Sequence, residues 1–182
     1  MAERLPDPIS ALGAVDPKRL GEDEFTALLE AASNLAAAGA TADLGALRPE
    51  QFARLISRAS PRQLTAVMQR PELRERILDE VFRRMGEHYR AGGAEAVVRW
   101  RIGTGDDDYL RYECVLSGDA RVVGKRPERE PSVTLTLSPV DFLKLASGNA
   151  SGPALFLGGK LAAVGDLALA ARLSNLFQIP NA

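Results

Sequence analysis

The stretch VTLTLSPVD at residues 133–141 decides how the C-terminal half of this chain is built. As far as Leu137, apolar residues alternate with threonines, which is the two-residue period of a strand with one buried face. Ser138 then suits the N-cap of a helix, Pro139 its first position, and Asp141 the positive end of its dipole. The stretch therefore predicts a strand that runs directly into a helix.

The segment before this stretch has the same two-residue period. Apolar residues alternate over 98–102 and 110–116, and a third short strand is predicted at 120–123. Short polar turns separate the three strands, which predicts an antiparallel meander. On the second strand, Cys114 points inward and Glu113 outward under this interpretation.

The segment after this stretch is rich in apolar residues. We interpret residues 154–165 as a fifth strand region and residues 167–177 as an amphipathic helix. Consecutive strands followed by strand–helix units predict an α+β fold with helices on one face of the sheet. Periodicity alone leaves open whether these apolar residues fill an ordinary core or surround a hollow.

The first half of the chain is predicted to be helical. Helices are expected from Asp23, from Pro49, from the capping-box sequence Ser60-Pro61-Arg62-Gln63, and from Leu73 onward. Pro71 precedes the most strongly amphipathic of these helices. We therefore divide the chain into a helical extension, residues 1–70, and a domain, residues 71–182.

The composition excludes several classes of function. Twenty-three basic and 24 acidic residues give a net charge of −1, which argues against a nucleic-acid partner. With one cysteine and one histidine, an intrachain disulfide or a Cys/His zinc site cannot form, and we predict no metal or other cofactor. A catalytic triad would depend on His88, and Cys114 is expected to be a buried, inert thiol. We predict no catalytic residues, so the protein is not expected to be an enzyme.

The sequence also bears on location. The longest apolar run, residues 161–171, is broken by Asp166 and is shorter than the ~20 residues of a membrane span, so stable membrane insertion is not expected. The N-terminus lacks the layout of a secretory signal, which predicts a cytoplasmic protein. The excess of arginine over lysine and the many alanines favour a bacterial source.

Two segments resemble those of a known family. Residues 131–143, PSVTLTLSPVDFL, and residues 154–170, ALFLGGKLAAVGDLALA, are similar to the strand–helix element and the Gly-Lys-Leu, spacer, Gly-Asp signature of the sterol carrier protein type 2 family. The order of elements from Leu73 to the end is similar as well. The resemblance implies a five-stranded, largely antiparallel sheet covered by helices around an apolar tunnel. Residues 1–70 lie outside it.

The function that this resemblance implies is non-catalytic binding or transfer of a sterol-like molecule, a fatty acid or an acyl chain. The partner would be an apolar small molecule or lipid. The tunnel would be lined by inward-facing residues of the sheet and the C-terminal helices: Trp100, Tyr112, Leu135, Phe142, Phe156, Leu161, Leu169, Leu173 and Phe177.

Two other functions remain open at this point. The protein could be an enzyme or accessory protein of lipid or natural-product metabolism, with Tyr112 or His88 as the acid or base. Alternatively, it could be an interaction module whose N-terminal helices pair two chains as a homodimer.

Overall fold

The computed structural model describes residues 12–37, 47–87, 89, 95–105, 107–117 and 120–176. The chain divides into two compact units after Glu80, within one helix. The boundary that we predict at Pro71 coincides with the start of that helix, Pro71–Glu87.

The first unit is helical, as predicted. A short 3₁₀ helix, Pro17–Arg19, is followed by helices α1 to α3, and the unit ends within helix α4. The bounds are α1 Glu22–Ala37, α2 Pro49–Arg58, α3 Pro61–Met68 and α4 Pro71–Glu87. The predicted capping box is confirmed, because Ser60 Oγ accepts from the N–H of Gln63 at 3.1 Å and Gln63 Oε1 accepts from the N–H of Ser60 at 2.8 Å. The buried Gln63 amide also donates to the carbonyls of Pro17 and Leu20, both at 2.8 Å. One glutamine therefore joins the 3₁₀ helix to the start of α3.

The second unit is an α+β domain, as predicted. Its sheet has the strand order β3-β2-β1-β4-β5. The elements in chain order are β1 Ala96–Gly105, β2 Asp108–Ser117, β3 Ala120–Gly124, β4 Val133–Leu137, α5 Pro139–Ala146, α6 Gly152–Leu157, β5 Leu161–Gly165 and α7 Leu167–Leu176.

The predicted strand-to-helix junction is confirmed. The apolar residues of β4 are buried and its threonines are half-buried. Ser138 Oγ accepts from the N–H of Asp141 at 3.1 Å, and Pro139 occupies the first helical position of α5.

The direction of β4 corrects the prediction of a largely antiparallel sheet. Strands β1 to β3 form the predicted antiparallel meander, and β4 pairs antiparallel with β5. However, β4 runs parallel to β1, so the sheet is mixed. The physical reason is the connection over residues 125–132, which carries the chain from β3 past β2 and β1 before β4 begins, and a parallel pair requires such a crossover.

Glu113 was expected to face solvent, and the structure shows that it is buried. Its side chain is only 3% exposed. One carboxylate oxygen accepts from the N–H groups of Glu128 and Arg129 at 3.1 and 3.0 Å, and the other accepts from the Arg129 guanidinium at 2.9 Å. Burial opposes the charged form, but the hydrogen bonds from Arg129 and Glu128 outweigh it and lower the pKa of Glu113 below its ordinary value. The carboxylate anchors the crossover to β2.

The predicted strand region at 154–165 is wrong in its first half. Residues 152–157 form helix α6, and the strand begins only at Leu161. Ser151 Oγ accepts from the N–H of Ala154 at 3.2 Å, and Pro153 lies in the first turn, so the local sequence favours a helix start.

The first prediction concerns the anchor of the crossover. Replacement of Glu113 by glutamine should lower the free energy of unfolding by about 1–3 kcal/mol at pH 7, because a charge-assisted bond to Arg129 is lost. The lowered pKa of Glu113 means that its contribution is complete above the ordinary glutamate pKa and is lost as the pH falls through the folded-state value. Urea unfolding at a series of pH values should therefore show the difference from wild type shrinking below about pH 5.

The matched control for this prediction is Glu128→Gln, which also removes one carboxylate charge, but from an exposed side chain of the crossover itself. A pH-independent difference, or an equal effect of both substitutions, would contradict the role assigned to Glu113.

The second prediction concerns the division of the chain. We propose that residues 71–182 form a self-sufficient domain, so a chain that starts at Pro71 should be monomeric, show cooperative thermal unfolding and bind a fluorescent fatty acid. An unfolded product would mean that residues 1–70 belong to the same core.

Candidate apolar binding site

A cavity of about 310 Å³ lies between α6, β5 and α7 in the second unit. It opens to solvent, because Leu157 and Leu167 at its edge are 85% and 54% exposed. Every residue of its lining is apolar: Gly152, Pro153, Phe156, Leu157, Leu161, Ala163, Leu167, Ala170 and Ala171.

Short side chains produce the hollow. In the pairing of β4 with β5, Ala163 lies opposite Leu135, and Leu161 lies opposite Leu137. Ala170 and Ala171 face the cavity from α7. An alanine extends one carbon beyond the backbone, so the space between β5 and α7 is left unfilled.

The Gly158-Gly159-Lys160 sequence ends helix α6 and returns the chain to β5. Gly159 has a φ of +69°, which favours glycine. Its N–H donates to the Phe156 carbonyl at 3.1 Å, and the N–H of Lys160 donates to the Leu155 carbonyl at 2.8 Å. These are the two bonds of a Schellman motif, so this part of the family signature has a structural role.

The Gly165-Asp166 pair fixes the start of α7. Gly165 has a φ of +109°, and a Cβ there would lie 2.4 Å from the Ser132 carbonyl oxygen. The N–H of Asp166 donates to that same carbonyl at 2.9 Å, and its carboxylate accepts from the N–H of Leu169 at 2.9 Å. The close backbone approach and the helix cap together position one wall of the cavity.

Two of the nine predicted ligand-contacting residues, Phe156 and Leu161, line this cavity. Phe177 lies outside the described residues. The other six are buried and are not part of the lining: Trp100, Tyr112, Leu135, Phe142, Leu169 and Leu173. Their contact with a ligand stays a prediction.

Three of the buried six belong to an aromatic cluster around Phe82. The ring of Phe82 stacks on Tyr112 and Phe142, with centroid distances of 4.0 and 4.8 Å. Trp100 packs edge-on against Phe82 and Phe142 at 5.9 and 5.4 Å. These separations are normal aromatic contacts, so no ligand fits between the rings without displacing them.

Seven of the nine lining residues are not among the predicted ligand-contacting residues. Leu157 falls in the predicted strand region, and the small side chains of Ala163, Ala170 and Ala171 carry no pattern that marks a binding site. The available signal was Ser151-Gly152-Pro153, which has the N-cap and early proline of a helix start. Small side chains such as alanine, by contrast, produce no periodic pattern in the sequence that would reveal a cavity.

Neither Cys114 nor a titratable side chain lines the cavity. Cys114 is buried on β2, and burial raises the pKa of its thiol to about 12. The Trp100 indole opposes this shift, and the Glu113 charge adds to it. The thiol is therefore protonated at neutral pH, and the predicted burial of Cys114 is confirmed, whereas its inertness stays a prediction. His88, the alternative acid or base, lies outside the described residues.

The described residues contain neither a metal-binding cluster nor a membrane-spanning helix. They contain no group of three or more His, Cys, Asp and Glu side chains that could hold a metal ion. No helix among them is both long enough and apolar enough to cross a membrane.

Residues 82–178 match the model of the SCP-2 sterol transfer family, and the chain belongs to this family. The match includes the whole cavity, the aromatic cluster and the crossover. No curated protein matches the chain.

Solved structures with a similar fold have low sequence identity. Sterol carrier protein 2 from Yarrowia lipolytica, in its apo form, is 22% identical over 61% of this chain and 84% of its own, with a TM-score of 0.40. Palmitated SCP2L2 from Aedes aegypti is 20% identical over 58% of this chain and 95% of its own, with a TM-score of 0.47.

A longer protein matches both units. A double mutant of the sec-alkyl sulfatase PisA1 from Pseudomonas sp. is 15% identical over 96% of this chain and 33% of its own, with a TM-score of 0.50. A fold similar to that of this chain therefore also occurs within one third of a larger chain.

The third prediction concerns Gly165. Gly165→Ala should destabilise the protein more than Gly105→Ala, measured by urea unfolding. Both glycines have φ above +100°, so both substitutions incur roughly 1–3 kcal/mol of backbone strain, but only at residue 165 does the new Cβ also meet a backbone oxygen. Equal losses would show that the close approach to Ser132 is unimportant.

Proposed function

We propose that this protein binds an apolar ligand, such as a fatty acyl chain or a sterol-like molecule, in the cavity between α6, β5 and α7, and transfers it without changing it. The observation that carries the proposal is a cavity with an entirely apolar lining in a member of the SCP-2 sterol transfer family. A ligand in this cavity would exchange water for apolar side chains, which stabilises binding by about 0.8 kcal/mol per buried methylene group.

The volume of the cavity limits the size of the ligand that it can enclose completely. Its volume of about 310 Å³ is at the lower end of the ~300–1,000 Å³ typical of ligand pockets. A longer ligand would extend either through the open mouth or inward, toward the buried side chains predicted from the sequence. In the second case Leu169 and Leu173 would move first, because α7 also carries Ala170 and Ala171 of the lining.

Binding without catalysis is supported by the chemistry of the lining. General acid–base or nucleophilic catalysis needs a titratable or nucleophilic side chain within hydrogen-bonding distance of the substrate. The nine lining residues supply only aliphatic and aromatic carbon from their side chains.

The proposal also covers the location, the source and the partners of the protein. The single cysteine supports a cytoplasmic carrier, and the near-neutral charge argues against a nucleic-acid partner. The excess of arginine over lysine and the many alanines favour a bacterial source. The helices before Pro71 would cap the domain or pair two chains as a homodimer.

A second candidate is an accessory or component role in an enzyme of lipid or natural-product metabolism. The observation that favours it is the match of 96% of this chain to one third of a sec-alkyl sulfatase. In this role the same cavity would hold the apolar part of a substrate, while the reacting groups would come from Tyr112, His88 or another polypeptide.

The fourth prediction tests the cavity directly. Ala163→Leu should weaken binding of a fluorescent fatty acid by roughly tenfold, because the isobutyl side chain of leucine occupies the hollow. Ala162→Leu is the matched control: it makes the same change one residue earlier on β5, on the opposite face of the sheet. Its affinity should equal that of the wild type.

Native mass spectrometry of the purified full-length protein provides a second measurement. We expect an apolar ligand to co-purify with the wild type and with Ala162→Leu, and to be lost from Ala163→Leu. Equal fatty-acid affinity in all three proteins would exclude this cavity as the site. Failure of the wild type to bind any apolar probe would contradict the carrier function.

A further inference from the structure

Strand β5 lies at one edge of the sheet and lacks the features that normally protect an edge strand. Natural edge strands carry charged residues, prolines or bulges, because their unpaired backbone groups can otherwise pair with another chain. The sequence of β5, LAAVG at residues 161–165, contains no charged residue and no proline, and its pairing with β4 has a regular register. The open side of β5 is therefore suited to a further strand.

The hydrogen-bond pattern identifies the backbone groups on this open side. The N–H of Asp166 donates to the Ser132 carbonyl at 2.9 Å, on the side of β4. Because backbone groups alternate between the two sides of an antiparallel strand, those of Leu161, Ala163 and Gly165 point away from β4. Within the described part of the chain, these outward groups make no hydrogen bond. Their N–H and C=O groups are thus left for a partner strand.

Exposed apolar side chains lie on both faces of the sheet beside this edge. Among the described residues, the large apolar side chains that are exposed are those of Phe156, Leu157, Val164 and Leu167, at 48%, 85%, 72% and 54%. Strand alternation places Val164 on the face of β5 opposite the cavity, whereas the other three belong to α6 and α7, on the face of the cavity. Apolar surface concentrated around an open strand edge is typical of a protein interface.

We propose that β5 pairs antiparallel with β5 of a second copy of this chain, about a two-fold axis that passes beside Ala163. In this register Leu161 lies opposite Gly165 of the second copy, and the outward N–H and C=O groups of each strand meet those of the other. The two five-stranded sheets then form one ten-stranded sheet. This inference concerns the partner of the protein and does not rest on the proposed function, which concerns its ligand.

The two residues that flank β5 select this register. Lys160 precedes the strand and Asp166 follows it; both are exposed, and neither takes part in an ion pair within the described residues. Pairing centred on Ala163 places Lys160 of each copy opposite Asp166 of the other, at a Cα separation of about 4.5 Å. One carboxylate oxygen of Asp166 accepts from the N–H of Leu169, which leaves the other oxygen for the lysine. A register shifted by two residues separates both ion pairs.

A second copy matches this edge in length, in apolar character and in charge, but the interface is small. A five-residue strand edge and a few exposed side chains present less than the area of about 800 Å² that each partner buries in a stable complex. We therefore expect a dimer that dissociates in the high-micromolar range. The fluorescence measurements proposed above use lower concentrations, at which the full-length protein and the chain that starts at Pro71 are monomeric.

The test is analytical ultracentrifugation of the full-length protein over a concentration series from about 1 to 500 µM, which should show a monomer–dimer equilibrium. Lys160→Glu should weaken the dimer roughly tenfold, because it places two carboxylates opposite each other on both sides of the axis. Asp166→Asn should weaken it about threefold, since it removes the attraction but keeps a good N-cap for α7. When Asp166→Asn is already present, Lys160→Glu should cause no further loss, because the asparagine carries no charge to repel.

Two further variants make the test specific to the strand edge. Lys18→Glu is the matched control: it makes the same change of charge on an exposed lysine of the first unit, and it should dimerise as the wild type does. Ala163→Pro removes the N–H beside the axis, which faces away from β4, so this variant should fold and remain monomeric at every concentration. Circular dichroism and thermal unfolding establish that each variant is folded, and if Ala163→Pro is not, the charge variants decide.

A wild type that stays monomeric up to the highest concentration would overturn the dimer. So would equal effects of Lys160→Glu and Lys18→Glu, or a dimer that a folded Ala163→Pro variant leaves intact, since the contact would then lie on another surface, such as the helices before Pro71. Fatty-acid binding, measured separately, keeps the two proposals apart. A monomeric wild type that binds fatty acid defeats the dimer and leaves the proposed function, whereas a dimer that binds no apolar probe does the reverse.

Discussion

The path of the chain from β3 to β4 depends on one buried carboxylate. Glu113 accepts three hydrogen bonds from Glu128 and Arg129, which holds the crossover against β2. Ser132, at the end of the crossover, exchanges hydrogen bonds with the backbone of Val97 on β1. Strand β4 therefore enters the sheet parallel to β1, and the position of every later element, including β5 and α7, follows from that entry. A charge inside the protein is tolerated here because its hydrogen bonds compensate for the loss of water.

The second unit combines a filled region and a hollow one. Near β1 and β2, four aromatic rings from Phe82, Trp100, Tyr112 and Phe142 pack at ordinary contact distances, so no ligand fits between them without displacing a ring. Near β5, alanines stand where larger residues would complete the core. Large side chains therefore fill one end of the unit, and small side chains leave space at the other.

Sequence patterns predicted those parts of the fold that rest on local chemistry. The caps at Ser60 and Ser138, the alternation of β4 and the meander were all accessible, because each is determined by residues close together in the chain. The parallel entry of β4 was not, since it depends on contacts of Glu113 with residues 15 and 16 positions away. The site was predicted from the large apolar residues, as pockets usually are. The cavity, however, is defined by small residues such as Ala163, and a missing side chain has no periodicity to detect.

The place of β5 at the edge of the sheet has a consequence for the size of ligand that the cavity admits. On one side β5 is hydrogen-bonded to β4, and in the strand order no strand follows it on the other. Edge elements open locally at lower free energy than central ones. The cavity thus has a compliant wall, formed by β5 and α7. Under the proposed function, small movements of this wall would adjust the volume of the cavity to ligands of different girth, while the aromatic cluster and the crossover stay unchanged.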